Sequence, residues 1–299
     1  MGEGGRKVSY IVDLVVDQKA ALGEGPHWNG EEHVLYWVDI MGKRLHCYDT
    51  KTKENKTFTF HQYVGAAVPA QPGKMLLAMH DGIYRFDLKT EELLLVANPE
   101  ENQPNIRFND GKCDSSGRFY IGTMALNIEK GKGSLYRLDP SGKIHKILSS
   151  VTISNGLAWS PDEQFMYYID TPTGEVAVFS YDKLTGNISS KKTSVVIPNE
   201  MGSPDGMTID SDGMIWVAHW DGSRVTQWNP YTGKQLDEIV VPVKHVTSCT
   251  FGGEHLDELY ITTARQGLSK EELEKYPLSG GLFKVKTKAK GMKGYGYKG

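Results

Sequence analysis

Carboxylate and carboxamide side chains recur beside glycine in four motifs of this sequence. The motifs are GEGPHW (23–28), RFNDGK (107–112), ISNGLAW (153–159) and SPDGMTI (203–209). Their candidate chemical residues are Glu24, Asn109 or Asp110, Asn155, and Asp205. Oxygens of this kind are hard ligands that suit Ca²⁺, Mg²⁺ or Mn²⁺, and suit Zn²⁺ less specifically. A single N-G or D-G pair usually marks only a turn, so a metal site requires a fold that brings the four motifs together.

A sixfold repeat provides such a fold. One aromatic and aliphatic phrase recurs at intervals of roughly 40–50 residues, the spacing of four-stranded propeller blades. Its copies are LYWVDI (35–40), MLLAMH (75–80), FYIGTM (119–124), MYYIDT (166–171), IWVAHW (215–220) and LYITTA (259–264). A second strand-like phrase follows each copy, and a turn-rich phrase precedes it. Six such units favour an all-β, six-bladed β-propeller with four-stranded blades around a central channel over a β-sandwich.

We expect the whole chain, residues 1–299, to form a single propeller domain. The predicted repeat units are 17–62, 63–105, 106–150, 151–200, 201–244 and 245–299. The segment YIVDLVV (10–16) is predicted to be an outer strand that completes the last blade. LSKEELEKY (268–276) is predicted to be a helical surface insertion in the sixth unit, and the basic segment KVKTKAKGMKGYGYKG (284–299) a solvated last strand and terminus.

The innermost strands of a propeller line its channel, so residues at the same point of each strand converge on one axis. The four polar residues stand at the starts of four innermost strands, and each has a glycine one or two places on that allows close backbone packing. Carboxylates meeting there would repel one another, and a cation would remove that repulsion. The sequence therefore predicts one divalent metal ion (Ca, Zn, Mg or Mn) at the channel mouth.

Composition narrows the classes of partner and compartment. The formal net charge of -3 does not indicate binding to nucleic acid or to an anionic membrane, both of which attract positively charged proteins. Three cysteines are an odd number without ligand spacing, which favours a reduced, cytoplasmic protein over a disulfide framework or a thiolate zinc site. The N-terminal stretch lacks the apolar core of a signal peptide, and no apolar run is long enough for a transmembrane helix. We expect a monomer or weak homodimer.

The sequence resembles the SMP-30, gluconolactonase and luciferin-regenerating enzyme family, which includes the regucalcins. GEGPHW, RFNDGKCDSSGRFYIGTMA, ISNGLAWSPD, YYIDT and PDGMTIDSDGMIWVA carry the resemblance, which covers nearly the whole chain from about Leu22. It implies a six-bladed propeller with one metal ion and hydrolysis of sugar lactones. It implies metal ligation by Glu24, Asn155 and Asp205, and a substrate pocket lined by Arg107 and Asn109. The sequence departs from the family after GTMA, where Leu126 and Asn127 replace a pair of glutamates.

The expected reaction is lactone opening by metal-activated water. One cation can polarise the carbonyl and lower the pKa of water, while a carboxylate accepts the proton. Asp205 is the predicted base, with Asp110 as the alternative, and Arg107 would bind substrate hydroxyls or the oxyanion. Hydrolysis of another ester, such as an organophosphate, and a non-catalytic calcium-binding regulator are the alternative functions. His219 and Trp220, in the phrase WVAHW, either face the substrate or pack in the fold.

Overall fold

The protein is represented by a computed structural model that describes residues 10–299. Residues 1–9, which belong to the predicted domain and to the N-terminal stretch expected to carry no signal peptide, lie outside the described residues. The strands of the first half of the chain are β1 (Val12–Val16), β2 (Gly23–Asn29), β3 (Val34–Asp39), β4 (Arg44–Asp49), β5 (Asn55–Thr59), β6 (Val64–Pro69), β7 (Lys74–Met79), β8 (Gly82–Asp87), β9 (Leu93–Ala97), β10 (Ile106–Cys113), β11 (Phe119–Ala125), β12 (Gly133–Leu138) and β13 (Ile144–Val151).

The second half of the chain continues the same pattern. Its strands are β14 (Ser154–Trp159), β15 (Phe165–Asp170), β16 (Glu175–Asp182), β17 (Asn187–Val196), β18 (Ser203–Ile209), β19 (Ile215–Trp220), β20 (Arg224–Asn229), β21 (Lys234–Val240), β22 (His245–Gly252), β23 (Glu258–Ala264) and β24 (Leu282–Lys286). Short 3₁₀ helices cover Thr171–Thr173 and Asn199–Met201, and α1 covers Lys270–Lys275. The position of α1 confirms the predicted helical insertion, which Ser269 starts with a capping box.

These strands form six antiparallel sheets of four strands each, which confirms the predicted six-bladed β-propeller. Five blades consist of consecutive strands, from β2–β5 to β18–β21. The sixth blade has the order β1-β24-β23-β22, so the N-terminal strand supplies its outer edge. Val12 lies opposite Val285 in this pairing. The predicted role of residues 10–16 is therefore correct, and the ring is closed by strands from both ends of the chain.

Large aromatic side chains of the second strands are buried between neighbouring blades. The second strands of five blades each bury at least one, among them Trp37, Tyr120, Tyr167, Trp216 and Tyr260. These residues come from the recurring phrase of the sequence, in which alternate side chains point to opposite faces of a strand. Burial of both faces against adjacent sheets explains why the phrase is so apolar, and it fixes the positions of the innermost strands around the channel.

Every innermost strand departs from regular pairing with its neighbour at the same level of the channel. Pairing shifts between Glu24 and His27 in β2, and at the corresponding points of β6, β10, β14, β18 and β22. The skipped residues include Asn109, Asp110, Asn155 and Asp205. A bulge changes the direction in which its side chains point. The polar residues can therefore point toward the channel axis, whereas side chains of a regular strand would alternate between the two faces of the sheet.

The glycine after Asn155 allows two innermost strands to touch. A Cβ atom on Gly156 would lie 2.6 Å from Met207 Cβ and 2.9 Å from the Asp205 carbonyl oxygen. Both distances are too short for an ordinary carbon contact, so any side chain at this position would push β18 away from β14. The expectation that glycine permits close backbone packing at the axis is correct here.

The C-terminal segment differs from the solvated terminus that the sequence suggested. After β24 the chain crosses the end of the propeller where the innermost strands finish. Gly291 pairs with Asp210, and the Tyr297 and Lys298 backbone nitrogens donate to Pro69 and Gly117 carbonyl oxygens. The Tyr297 ring is 2% exposed. The basic composition is misleading because the lysines reach solvent while glycine and tyrosine pack against the blades.

Tyr297→Ala should lower the free energy of unfolding by about 3 kcal/mol, the usual cost of removing a buried aromatic ring. Tyr297→Phe keeps the ring and loses only the hydroxyl bond to the Asp139 carbonyl oxygen, at 2.9 Å, and should cost about 1 kcal/mol. Urea unfolding measures both. Tyr231→Ala is the control because that ring is 64% exposed. An alanine variant at 297 as stable as the control would show that the tail does not contribute to the fold.

Two further findings concern the compartment predictions. Cys47, Cys113 and Cys249 are free thiols in the structure. Among residues 10–299, the helices are all too short or too polar to span a lipid bilayer.

Candidate functional site

The predicted metal ligands and their polar neighbours lie at one end of the channel, near the start or the middle of four innermost strands. They are Glu24 in β2, Asn109 and Asp110 in β10, Asn155 in β14, and Asp205 in β18. All five are at most 6% exposed. Since the strands run in the same direction around the axis, these residues occupy the end of the channel opposite to the C-terminal segment. The fold thus brings together the polar residues that occupy equivalent positions of the sequence repeat.

Arg107, Asn109 and Asn155 form a continuous hydrogen-bonded chain between two blades. Arg107 Nη1 donates to Asn109 Oδ1 at 2.7 Å, and Asn109 Nδ2 donates to Asn155 Oδ1 at 2.8 Å. Asn109 Nδ2 also donates to the Ser154 carbonyl oxygen at 2.8 Å. These bonds use both ends of the Asn109 carboxamide, so Asn109 holds Arg107 and Asn155 in place.

The hydrogen-bonded chain of side chains continues through Thr171, a residue to which the sequence motifs gave no role. Asn155 Nδ2 donates to Thr171 Oγ1 at 2.7 Å, and Thr171 Oγ1 donates to the Pro204 carbonyl oxygen at 2.8 Å. Pro204 directly precedes Asp205. Thr171 therefore connects the fourth blade to the fifth at the predicted site.

Three carboxylates interact with one another at this end of the channel. Burial and the charge of Asp110 raise the pKa of Glu24 to about 8. Burial, together with the charges of Glu24 and Asp110, raises the pKa of Asp205 well above its usual range. Burial also raises the pKa of Asp110. In the absence of a cation, the site thus favours protonated carboxyl groups, because it disfavours several negative charges in one dry space.

Two cations of the protein partly offset this charge. Burial lowers the pKa of Arg107 to about 10, although Glu24, Tyr63 and Asp205 oppose that effect. Burial likewise lowers the pKa of Lys112, whose Nζ donates to the Met207 carbonyl oxygen deeper in the channel. Arg107 therefore lies beside the predicted ligands, while Lys112 lies below them.

The donor set fits a hard divalent cation. Asp110 Oδ2 is buried and has no hydrogen-bond partner in the described part of the chain, and the mutual repulsion of the three carboxylates is what a cation would relieve. Within residues 10–299, no three histidine, cysteine or carboxylate side chains converge closely enough to hold a metal ion by themselves. A metal site at this end of the channel therefore needs oxygen donors other than carboxylates, and the carboxamide Oδ1 of Asn155 is the predicted one.

The structure also decides between the alternatives for His219 and Trp220. His219 is completely buried, and its Nε2 lies 2.6 Å from Thr226 Oγ1. Burial lowers its pKa to about 4. It therefore packs within the fifth blade and does not face a substrate. Trp220 is partly buried and stacks on His245 with ring centroids 4.0 Å apart.

The two residues that depart from the family pattern lie just after β11. Leu126 is 42% exposed, and its backbone nitrogen donates to the Asn105 carbonyl oxygen beside the start of β10. Asn127 Oδ1 accepts from the Glu129 backbone nitrogen in the same turn. This surface turn belongs to the end of the blade that carries Arg107, and it presents apolar surface where the family pattern has an acidic pair.

A separate cavity of about 280 Å³ lies at the opposite end of the channel. Its lining includes His27, Lys112 and Tyr295 of the C-terminal segment. None of the predicted ligands lines it, so it is distinct from the candidate site.

Sequence reasoning missed Thr171, Tyr63 and Lys112. Thr171 ends the recurring phrase MYYIDT, and Tyr63 begins the innermost segment YVGAAV. Their positions in the repeat were visible in the sequence, whereas the residues with which they interact depend on how the blades pack, which no repeat specifies.

Comparison with known proteins agrees with the fold and the motifs. A family model described as "SMP-30/Gluconolactonase/LRE-like region" matches residues 22–265. A protein of Bacillus subtilis (strain 168) named "Putative sugar lactone lactonase YvrE" is 41% identical over 93% of this chain and 95% of its own length. Regucalcin of Danio rerio is 38% identical over 97% of this chain and 99% of its own length.

Solved structures give the same result. The crystal structure of a calcium-binding protein, regucalcin, from Agrobacterium tumefaciens superposes with a TM-score of 0.93 at 27% identity, over 97% of this chain and 98% of its own. The family match covers all four site motifs and most of the chain. From its sequence, its propeller and these matches, the chain belongs to the SMP-30/gluconolactonase/LRE-like family.

Proposed function

We propose that this protein is a divalent-metal-dependent hydrolase that opens sugar lactones. The observation that carries the proposal is the convergence of Glu24, Asp110 and Asp205 beside Asn155 at one end of the channel, with mutually raised carboxyl pKa values. Glu24, Asn155 and Asp205 are the proposed metal ligands. Ca²⁺, Mg²⁺, Mn²⁺ and Zn²⁺ are the candidate ions, with oxygen donors favouring the first three.

Different residues of the site would perform different steps of the hydrolysis. A bound divalent cation would supply Lewis acidity for the lactone carbonyl and for water. Asp205 would accept the proton of the attacking water, and Asp110, whose Oδ2 has no hydrogen-bond partner among residues 10–299, is the alternative base. Arg107, held by Asn109, would donate hydrogen bonds to substrate hydroxyls or to the oxyanion that develops during attack.

The relatives support two functions. The name of the Bacillus protein describes a sugar lactone lactonase, which supports hydrolysis of a small lactone. The Agrobacterium regucalcin is described as a calcium-binding protein, which supports a second candidate function, calcium binding without catalysis. Calcium binding alone would not need a proposed base, Asp205 or Asp110, beside a proposed donor to substrate hydroxyls, Arg107. This arrangement favours the enzymatic function over the non-catalytic one.

A substrate panel separates these functions. Metal-loaded protein is assayed with several aldonolactones, a lactone without hydroxyl groups and an organophosphate ester, with proton release as the common readout. Turnover confined to aldonolactones supports the proposal. Faster hydrolysis of the organophosphate would assign a different ester, and calcium binding without any turnover would assign the non-catalytic function.

Arg107→Ala should lower kcat/KM for an aldonolactone by about 10- to 100-fold, because a hydrogen bond from a charged donor contributes about 1.5–3 kcal/mol. The loss should appear mainly in KM, while metal affinity stays near that of the wild type. Steady-state kinetics and calorimetric metal titration measure the two quantities. Arg118→Ala is the control, since Arg118 pairs with Asp114 away from the site. An unchanged kcat/KM would remove Arg107 from the substrate pocket, and a loss confined to kcat would assign it to the oxyanion and not to the hydroxyls.

A further inference from the structure

The hydrogen-bonded chain through the site has a fixed direction. It begins at Arg107, whose guanidinium can only donate, and it ends at the Pro204 carbonyl oxygen, which can only accept. Between these ends lie Asn109, Asn155 and Thr171, each of which can both donate and accept. Because neither end can reverse, each intermediate group has one consistent orientation.

That direction determines which atom of Asn155 is available as an oxygen donor. The single hydroxyl hydrogen of Thr171 is used on the Pro204 carbonyl, so Thr171 presents only a lone pair to Asn155. Asn155 must then turn its Nδ2 toward Thr171 and its Oδ1 toward Asn109. A carboxamide with the opposite orientation would place an NH₂ group where the proposed metal ligand is needed.

The segment that carries Thr171 is built to hold the hydroxyl in place. Asp170 accepts hydrogen bonds from the backbone nitrogens of Thr152 and Ile153, and the Thr171 backbone nitrogen donates to the Ile153 carbonyl oxygen. Thr171 begins a short 3₁₀ helix that Gly174 ends in a left-handed conformation. The turn is thus tied to the start of β14, immediately before Asn155.

We propose that Thr171 is a positioning residue of the metal site, which acts by fixing the carboxamide orientation of Asn155. The inference rests on the proposed function, because it requires that Asn155 Oδ1 binds the metal ion. Thr171 itself need not touch metal or substrate. Removal of such a supporting hydrogen bond typically weakens metal affinity by about 10- to 100-fold.

Thr171→Val tests the proposal, because it retains the branched shape and removes both hydrogen bonds. Metal-stripped wild type and variant are titrated in a calorimeter with Ca²⁺ alone, and with Mn²⁺ alone if Ca²⁺ gives no heat. We expect a dissociation constant about 10- to 100-fold larger for the variant. Thr171→Ser keeps the hydroxyl and should restore near wild-type affinity.

Thr173→Val is the matched control, since Thr173 lies in the same turn and its hydroxyl donates to the Asp170 carbonyl oxygen, away from Asn155. Circular dichroism and thermal melting of the metal-free proteins show whether each variant is folded, and Thr171→Ala replaces the valine variant if that one is not. A purely structural role would lower the melting temperature without changing the dissociation constant, and this result would overturn the inference. A wild type that binds none of Ca²⁺, Mn²⁺, Mg²⁺ and Zn²⁺ in the same titration would instead overturn the proposed metal site on which the inference rests.

Discussion

Asp205→Asn should lower the turnover of a sugar lactone by about 10²–10⁴-fold, the usual contribution of a positioned general base. Asparagine keeps the shape of the side chain and one oxygen donor, but it lacks the charge and the basicity of the carboxylate. We therefore expect weakened but measurable metal binding together with the loss of turnover. Single-turnover kinetics at saturating metal separate the loss of the base from the loss of the ion.

Asp205→Asn needs a control variant and a test of the competing assignment. Asp212→Asn changes an exposed carboxylate in the turn after β18 and should leave turnover near that of the wild type. Asp110→Asn tests the alternative base. If Asp205→Asn turned over lactone at nearly the wild-type rate with metal bound, Asp205 would not be the base, and a large loss in Asp110→Asn would assign the role to Asp110.

Asp205→Asn should lower turnover but should not lower the stability of the metal-free protein. Burial and the charges of Glu24 and Asp110 raise the pKa of Asp205 in the folded protein. The metal-free fold is therefore most stable where this group is protonated, and it loses stability as the pH rises from the ordinary aspartate range toward the raised folded pKa. The Asp205→Asn variant has no carboxyl group to ionise at this position, so it should not show this loss. The substitution should thus lower turnover while it stabilises the metal-free protein at higher pH.

The fold was predictable because the repeat combines two independent patterns. Alternating aromatic residues, such as Trp37 and Trp216, mark the buried second strands, and turn residues mark the strand ends. The outer strand at residues 10–16 was also predictable, since a ring of four-stranded blades would otherwise lack one strand. The C-terminal segment was not, because its lysines suggest solvent while its glycines allow close packing. A Cβ on Gly291, for example, would lie 2.1 Å from Phe251 Cβ.

The candidate site was predictable in its residues but not in its connections. Glu24, Asn155 and Asp205 could be found because equivalent positions of a propeller converge on the axis. The bulges that turn them inward involve backbone pairing, which residue types alone do not specify. The bond from Asn155 to Thr171 joins the innermost strand to a loop after the second strand, so only the folded blade reveals it.

Removal of the metal ion should abolish lactone hydrolysis, the largest effect that we expect. The carboxylates of Glu24 and Asp205 belong to the first and fifth blades, and Asn155 belongs to the fourth. Without a cation, burial and mutual repulsion favour their protonated forms, so both the Lewis acid and the base are lost together. A metal ion that binds the folded state and not the unfolded state should also stabilise the protein, by about 2.7 kcal/mol at a free metal concentration of 100 times the dissociation constant. The melting temperature should rise accordingly.

The most direct test is an assay of aldonolactone hydrolysis before and after treatment with a chelator, with the metal content of the same samples measured by atomic emission. We predict background turnover in the metal-free protein and full recovery on addition of one equivalent of a single divalent cation. Undiminished hydrolysis by protein shown to contain no metal would contradict the account.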